Sequence, residues 1–600
     1  MVSSYQMRLL KRLLFLLVPY SLLRVCFYFY HLNLYSDFKT SEILYGFLIG
    51  VRFDVAAIIL VNIPVVFLSS VQIFNEKFLK FERFVFIFLN TCAFLMAIID
   101  FELFNFMGKR LSFDLFVILG DILDQLPQLL INFWFFPLIS LSLGILFYFV
   151  DRKYFLINEE SPKKFSIVSF FLLIPLLFIG VRGGLQHKSI NVQSAFIQGK
   201  NELGHLVLNS PYHFFRTLKN DPVRKINYFT SDDLARDIIR KYRKPIDQFR
   251  GEKKSNVVLI ILESFSMEYI EQGYTPFLTE LKSRGLFFNR HLANGRRSIE
   301  SLPSLLCGLP SLLKEPISKS FFSGNKFSCF PDALKDRGYS NLFYHAGARG
   351  TMGFDSYTLA HGFNKYFSRE DFGSDHFDGT WGVFDLPFMQ YVSQSLTQVE
   401  GPFTAAIFTL SSHQPYKIPK EFEGKFPKGD LEIHESIGYA DFSLKKFFES
   451  AQKQDWFKNT YFIITADHTQ KLQTAKYSNM VGRYRVPLII LGPGIKPGVS
   501  NKITQHSDIP MTVMDLLDVE EKLPMTSVSV LAGDEGSAIN FADGATYFLA
   551  TNKRVLTLDT ESSYDWETGA TGPMTSSQDP ILKAYLQYFI NGLLNNNLSP

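Results

Sequence analysis

The chain of 600 residues is short of charge. Asp, Glu, Lys and Arg make up 20% of it, against about 25% in soluble domains. The two signs nearly cancel, leaving a formal net charge of +4. Nothing therefore marks it as a nucleic-acid binder, and no nucleic-acid partner is expected. Cysteine is scarce, with four in all, which excludes a small disulfide-stapled scaffold. No G-x-x-x-x-G-K-[ST] stretch occurs, so no P-loop for a nucleotide is present. The composition also excludes a disordered or collagen-like chain. Aromatic residues are what the chain has in excess: 16% of it, with 62 Phe. The apolar surplus is crowded into the first third.

A bilayer core needs about 20 apolar residues in one helix. Residues 55–75, 125–150 and 165–181 contain no charge, and 84–99 is uncharged up to Asp100. The pattern predicts five membrane spans, near 9–30, 48–70, 84–104, 130–150 and 165–183. A soluble core rarely repeats such runs with charged stretches between them. The first run lacks a clear small-residue cleavage site, so it reads as a span rather than a signal peptide. Lys and Arg in the short loops set orientation. Arg8, Lys11 and Arg12, then Lys77, Lys80 and Arg83, then Arg152, Lys153, Lys163 and Lys164 fall on one side, leaving mainly Lys39, Lys109 and Arg110 on the other. The N-terminus is thus expected in the cytoplasm and everything after about residue 185 outside. Arg52, Asp54, Asp100, Glu102 and Arg182 lie in or beside the spans. Charges there are costly; they either lock the bundle as internal ion pairs or face a lipid headgroup near the outer leaflet.

Residues 186–250 read as a juxtamembrane linker with surface helices over 197–218. From residue 251 the pattern changes. Short apolar runs at 257–262 (VVLIIL), 403–410, 461–465 and 486–491 alternate with helical stretches such as 330–337 and 436–453. This predicts an α/β domain over 251–600 with a mostly parallel central sheet. The last part, 531–600, with a strand-like stretch at 546–559, is expected to add a small antiparallel subdomain.

In such sheets chemistry gathers at the carboxyl ends of strands. Glu263 follows VVLIIL directly, and Asp467 and His468 follow YFIIT after one Ala. Carboxylates and an imidazole at two strand ends suit a divalent metal. Ser298 follows an Asn-Gly-Arg-Arg turn and opens a helix-like stretch, SIESLPSLL. It is either an N-cap or a hydroxyl nucleophile in the positive field of a helix start. His413, just past the run at 403–410, and His345, just past 341–344, are either satisfied loop residues or groups that bind a phosphate oxygen or protonate a leaving group. Arg297 and Arg349 are candidate anion contacts. Cys26 and Cys92 fall in spans; Cys307 and Cys329 fall outside, where a disulfide is permitted but not shown.

Together the stretches NVVLIILES, ANGRRSIESLPSLLCGLP, TLSSHQPY, ITADHT and HSDIPMTVMDLL resemble the alkaline phosphatase/sulfatase superfamily, and within it the lipoteichoic acid synthase type of membrane phosphoglycerol transferase. The resemblance implies a five-helix membrane region followed by an extracytoplasmic sulfatase-like domain. It implies Glu263, Ser298, Asp467 and His468 as metal ligands, Ser298 also as nucleophile, His413 as a catalytic and substrate contact, and His345, Arg349 and Arg297 as substrate contacts. The implied cofactor is one divalent ion, manganese, with zinc or magnesium as alternatives. The implied reaction moves phosphoglycerol from phosphatidylglycerol to a glycan or polyglycerolphosphate hydroxyl through a covalent serine intermediate, at a bacterial cytoplasmic membrane. Where lipoteichoic acid synthases continue with Asp, Trp and Arg after the His345-like residue, this chain reads AGARGTMGFDSY. Phosphoethanolamine transfer, and phosphodiester or sulfate hydrolysis, therefore stay open, as does a non-catalytic scaffold. The sequence after Ser298 lacks the x-Pro-x-Arg of formylglycine sulfatases, which disfavours sulfate hydrolysis.

Overall fold

The structure, a computed structural model, describes residues 4–71, 75–107, 110–113, 134–155, 167–186, 189–196, 201–218, 223–243, 249–373, 376–542 and 546–598. It divides into two compact units. The first is Met1–Arg224 with Lys319–Asn325; the second is Lys225–Ser318 with Lys326–Pro600.

Among the described residues, four helices of the first unit are long and apolar enough to cross a membrane: Gln6–Tyr30, Thr40–Val61, Glu76–Phe104 and Phe135–Tyr154. The expected five spans become four, with a shorter apolar helix, Leu173–Arg182, where the fifth was placed. The second span begins earlier than 48–70, because Asn62 closes Thr40–Val61 and a separate helix, Ile63–Val71, follows. Residues 130–133 and 165–166 of the other expected spans, with the loop lysines Lys109, Lys163 and Lys164, lie outside the described residues.

Buried charge in this unit is compensated. Arg12 Nε lies 2.6 Å from Asp151 Oδ1 and Arg12 Nη1 2.8 Å from Glu82 Oε1, while Arg83 Nε reaches Asp151 Oδ2 at 2.7 Å. Asp54 pairs with Arg24, and Asp100 with Arg110 Nε at 2.7 Å. Internal ion pairing thus accounts for Asp54 and Asp100, as burial of unpaired charge would demand. Arg52 Nε donates to the Gly183 carbonyl at 2.8 Å, Arg182 Nη2 donates to the Gln186 carbonyl at 2.5 Å, and Glu102 accepts from the Tyr30 hydroxyl.

The second unit is built on a sheet of eight strands in the order β4-β3-β5-β1-β6-β7-β2-β8. The strands are β1 Asn256–Leu262, β2 Leu286–Leu292, β3 Ser340–His345, β4 Lys365–Phe367, β5 Phe403–Phe408, β6 Thr460–Ala466, β7 Leu488–Leu491 and β8 Gly498–Gln505. β1 is buried along its whole length, which is why it reads as an unbroken apolar run rather than an alternating one. The sheet is mixed. Five neighbouring pairs are parallel, but β7 runs antiparallel to both β6 and β2. The run at 486–491 is therefore not the parallel strand expected. A parallel return needs a long crossover, usually a helix; between β6 and β7 the only α-helix is the four-residue Ala475–Ser478, and the chain turns back instead. Helices Asp385–Leu396 and His434–Ala451 cover one face, burying Phe388, Val392, Ile437, Leu444 and Phe447 against Val258, Ile260, Ile407 and Ile464. Strands β9 to β13 form a five-stranded antiparallel sheet over 538–576, and helix Ile581–Leu594 follows. A disulfide joins Cys307 to Cys329.

The register decides where the site lies. β1 pairs with β5 and β6 so that Ile261 faces Phe408 and Leu262 faces Ala466. The residues next in chain, Glu263, Thr409 and Asp467, leave three adjacent strands at one edge.

Candidate active site

Ser298 is the first residue of helix Ser298–Cys307, and Arg297 occupies the cap position. The Glu300 carboxylate does the capping, accepting from the backbone N–H groups of Arg296 at 2.7 Å and Arg297 at 3.1 Å. Ser298 is thus not the N-cap, and its hydroxyl is free to point elsewhere. Gly295 makes the preceding turn at φ 137°, where an added Cβ would lie 2.5 Å from Glu300 Cβ; glycine is needed there.

The Ser298 hydroxyl donates to Glu263 Oε2 at 3.3 Å and lies 3.3 Å from His468 Nε2. His468 Nε2 is in turn 3.2 Å from Asp467 Oδ2 and 3.7 Å from Glu263 Oε1. One ligand atom from each of Glu263, Asp467 and His468 falls within 4.8 Å of the others. All four residues are buried. His468 Nδ1 bonds the Thr469 carbonyl at 2.9 Å, which fixes the ring proton on Nδ1 and turns the Nε2 lone pair toward this cluster. Asp467 Oδ1 accepts from the N–H groups of Ser264 and His468, each at 2.8 Å. Asp467 Oδ2 is buried with no hydrogen-bond partner. Burial, then the Asp467 charge beside it, pushes the Glu263 carboxyl well above the usual carboxylate range. Two carboxylates, one of them with an orphaned buried oxygen, and an imidazole lone pair make a donor set that fits one divalent cation.

Neighbouring residues not singled out in the sequence hold this set in place. Ser264, in a left-handed conformation at φ 60°, donates its hydroxyl to Glu263 Oε1 at 2.6 Å. Thr409 Oγ1 accepts the Glu263 N–H at 3.0 Å, and the Ser412 hydroxyl donates to the Glu263 carbonyl at 2.5 Å. Asp385, fully buried, accepts from the N–H groups of Leu410 and Ser411 at 2.8 and 3.0 Å, and burial lifts its carboxyl to about 6. The only signal for these residues was their position after apolar runs, in LES and TLSS; Asp385 gave none.

The other expected residues have partners of their own outside the cluster's hydrogen bonds. His413 follows Ser412 and is half-buried, its Nδ1 2.9 Å from the Gln414 carbonyl and its ring 4.6 Å from that of Trp381. His345 ends β3, buried, with Nδ1 2.8 Å from the Tyr366 hydroxyl; burial pulls its imidazole down to about 3, so it is neutral. Arg349 is exposed, with Nη2 3.0 Å from Asp371 Oδ2. Arg297 is exposed and bonds Glu300 Oε1 through Nε at 2.8 Å and Nη2 at 2.5 Å. The structure thus brings Ser298, Glu263, Asp467 and His468 together and gives the two arginines carboxylate partners.

Residues 255–519 match the family described as Sulfatase. The chain is 26% identical over 340 residues to phosphoglycerol transferase I of Escherichia coli (strain SMS-3-5 / SECEC), covering 52% of this chain and 43% of that one. It is 25% identical over the same length and shares of chain to phosphoglycerol transferase I of Shigella boydii serotype 18. The chain thus spans about two fifths of the length of these curated relatives. Among solved structures, a protein in the alkaline phosphatase superfamily from Vibrio parahaemolyticus aligns with TM-score 0.55 at 24% identity, covering 62% of this chain and 98% of that one. The lipoteichoic acid synthase LtaP from Listeria monocytogenes aligns with TM-score 0.53 at 20% identity, covering 61% and 99%. Residues 255–519 thus match the Sulfatase family model, the second unit shares the fold of a solved protein of the alkaline phosphatase superfamily, and the chain is similar in sequence to proteins named phosphoglycerol transferase I.

Proposed function

We propose that the protein transfers phosphoglycerol from phosphatidylglycerol to a glycan or polyglycerolphosphate hydroxyl, with Ser298 as nucleophile. One observation carries this reading: the Ser298 hydroxyl, lifted clear of capping duty, meets Glu263 and His468 beside an unpartnered Asp467 oxygen. Relatives named phosphoglycerol transferase I support the choice of group transferred. Glu263, Asp467, His468 and Ser298 would hold a divalent ion, manganese in this reading. Such an ion lowers the pKa of the serine hydroxyl and offsets charge on the phosphoryl oxygens.

The chain's own residues do the rest. The start of helix Ser298–Cys307 faces the phosphoryl group with its positive dipole end. Ser298 Oγ forms a bond to phosphorus, its proton leaving along the hydrogen bond to Glu263 Oε2. The bond from phosphorus to the diacylglycerol oxygen breaks, and His413 supplies the proton to that oxygen. His468 is kept in the right tautomer by Thr469. An acceptor hydroxyl then forms a bond to phosphorus, giving its proton to His413, and the phosphorus–Ser298 bond breaks as Glu263 returns the proton to Oγ. Arg297, Arg349 and His345 are assigned to the outer contacts of the substrate phosphate and headgroup.

Four apolar helices fit a protein of the bacterial inner membrane; in this reading the shorter apolar helix Ile167–Arg182 makes a fifth crossing, so that loop charges favouring a cytoplasmic N-terminus leave the second unit outside. The Cys307–Cys329 disulfide agrees with an oxidising compartment. The test uses the full chain in detergent with manganese and fluorescent phosphatidylglycerol. Diacylglycerol release by the wild type, reduced at least about 1,000-fold in Ser298→Ala, is expected. Undiminished release from the variant overturns the assignment.

A further inference from the structure

We propose that Lys417 and Trp381 form the wall of the headgroup pocket and set its charge selectivity, admitting an uncharged polyol headgroup and turning away an ammonium. This rests on the reading above. A path of contacts leads from the nucleophile to the wall. Glu263, which receives the Ser298 hydrogen bond, has its carbonyl held by Ser412. The next residue, His413, meets the Trp381 ring edge-on at 62°.

Trp381 is firmly set. Its Nε1 donates to the Gln414 carbonyl at 2.7 Å. Its backbone lies in a turn where Asp378 Oδ1 accepts the N–H groups of Thr380, Trp381 and Gly382 at 2.7, 2.8 and 3.1 Å. Gly382 also bridges to Gly347, two residues beyond His345. The turn therefore joins the loop after β3 to the loop after β5, the two loops that carry the expected substrate histidines. The indole is half-buried, so it offers an apolar surface for the C–H face of a glycerol unit beside His413.

Lys417 stands on the same turn. Its Nζ donates to Thr380 Oγ1 at 2.9 Å and to the Asp378 carbonyl at 3.3 Å. Both are neutral acceptors. Among the described residues no carboxylate is paired with this ammonium, whereas nearby Lys471 is matched by Glu432 at 2.6 Å. The Asp378 carboxylate of that turn accepts from its own N–H groups rather than from Lys417, and a lysine without an ion-paired carboxylate repels a second ammonium in the same pocket while leaving glycerol untouched.

The experiment measures diacylglycerol release from phosphatidylglycerol and phosphatidylethanolamine in identical mixed micelles, for the wild type, Lys417→Glu, Lys417→Met, Trp381→Phe and Trp381→Ala. The wild type is expected to favour phosphatidylglycerol. Lys417→Glu should cut the ratio of the two kcat/KM values about tenfold by raising use of phosphatidylethanolamine, and Lys417→Met should fall between. Trp381→Ala should raise KM for phosphatidylglycerol about tenfold, with Trp381→Phe restoring most of it. An unmoved ratio in both Lys417 variants, or a wild type that prefers phosphatidylethanolamine, overturns the proposal. Ser298→Ala keeps the two readings apart. If it is dead while the Lys417 ratio is unmoved, only the selectivity wall falls; if the wild type releases diacylglycerol from neither lipid, both fall.

Discussion

Replacing Glu263 with Gln separates a metal ligand from a structural acceptor, because the two roles predict opposite changes in stability. Glu263 and Asp467 are buried side by side, with ligand atoms and His468 inside 4.8 Å. Without a cation, burial and then Asp467 raise the Glu263 pKa above its ordinary 4.5. The folded protein then holds that proton more tightly than the unfolded chain does. Stability is accordingly greatest below the unfolded value and is lost as pH rises through the folded one, by at most about 1.4 kcal/mol per pH unit. Gln is isosteric, keeps one oxygen to accept from Ser264 and Ser298, and carries no charge. Cation-free Glu263→Gln should therefore unfold at a higher temperature than the wild type at pH 7.5, and the gap should shrink toward pH 5.

Manganese reverses the order. At a hundredfold excess over its Kd, a ligand that binds only the folded state adds about 2.7 kcal/mol, a rise of a few degrees for a unit of this size. That rise should grow with pH in the wild type, because the ligands must lose protons to bind. It should be under about one degree in Glu263→Gln. The assay is thermal unfolding of the full chain in detergent, followed by intrinsic fluorescence at pH 5.5, 6.5 and 7.5, in chelator and in manganese. If Glu263→Gln is less stable than the wild type in chelator at pH 7.5 and still responds fully to manganese, Glu263 is a structural acceptor and the metal centre is wrongly assigned.

Asp385→Ala strands the buried N–H groups of Leu410 and Ser411 and should cost about 2–4 kcal/mol; Asp385→Asn should recover most of the stability and most of the turnover, since both follow the loop that carries Ser412 and His413. Because the Asp385 carboxyl is raised to about 6, the wild type should lose stability between about pH 4 and 6 in a step that Asp385→Asn lacks, read by the same unfolding assay. Removing the disulfide with Cys307→Ser and Cys329→Ser together opens a loop of 22 residues and should lower stability by about 3 kcal/mol, measured by chemical denaturation. Gly295→Ala forces a Cβ against Glu300 at φ 137°, so it should reduce kcat by displacing Ser298 and cost about 1–3 kcal/mol.

The cluster of Glu263, Asp467 and His468 was legible in the sequence as a candidate ligand set because the strands that carry it are central. Central strands are apolar on both faces, so 257–262 and 461–465 stand out as unbroken runs, and the polar residues after them mark the edge of the sheet. β7 gave the same apolar signal, since a buried antiparallel strand in the middle of a sheet has no wet face either; only the short connection before it held the direction. The membrane helices were visible as uncharged runs, but their ends were not. Asn62 sits in the middle of a long apolar stretch, and it is the structure that breaks the stretch there, with Asn62 and Asn90 bonded to each other at 3.1 Å. Residues that act by spacing in three dimensions left no trace. Asp385 lies 25 residues from the backbone it holds, and Trp381 lies 33 residues from the carbonyl it bonds. The stretch after His345 lacks the Trp that the resemblance led one to seek, while an indole stands against His413 from another part of the chain. In the proposed selectivity wall the turn at 378–382 is the organising part, because Asp378 gathers three of its N–H groups, Trp381's among them, and its Thr380 hydroxyl receives the Lys417 ammonium. Changing Asp378 should disturb selectivity through that turn while leaving Ser298 and its partners where β1 and β6 put them.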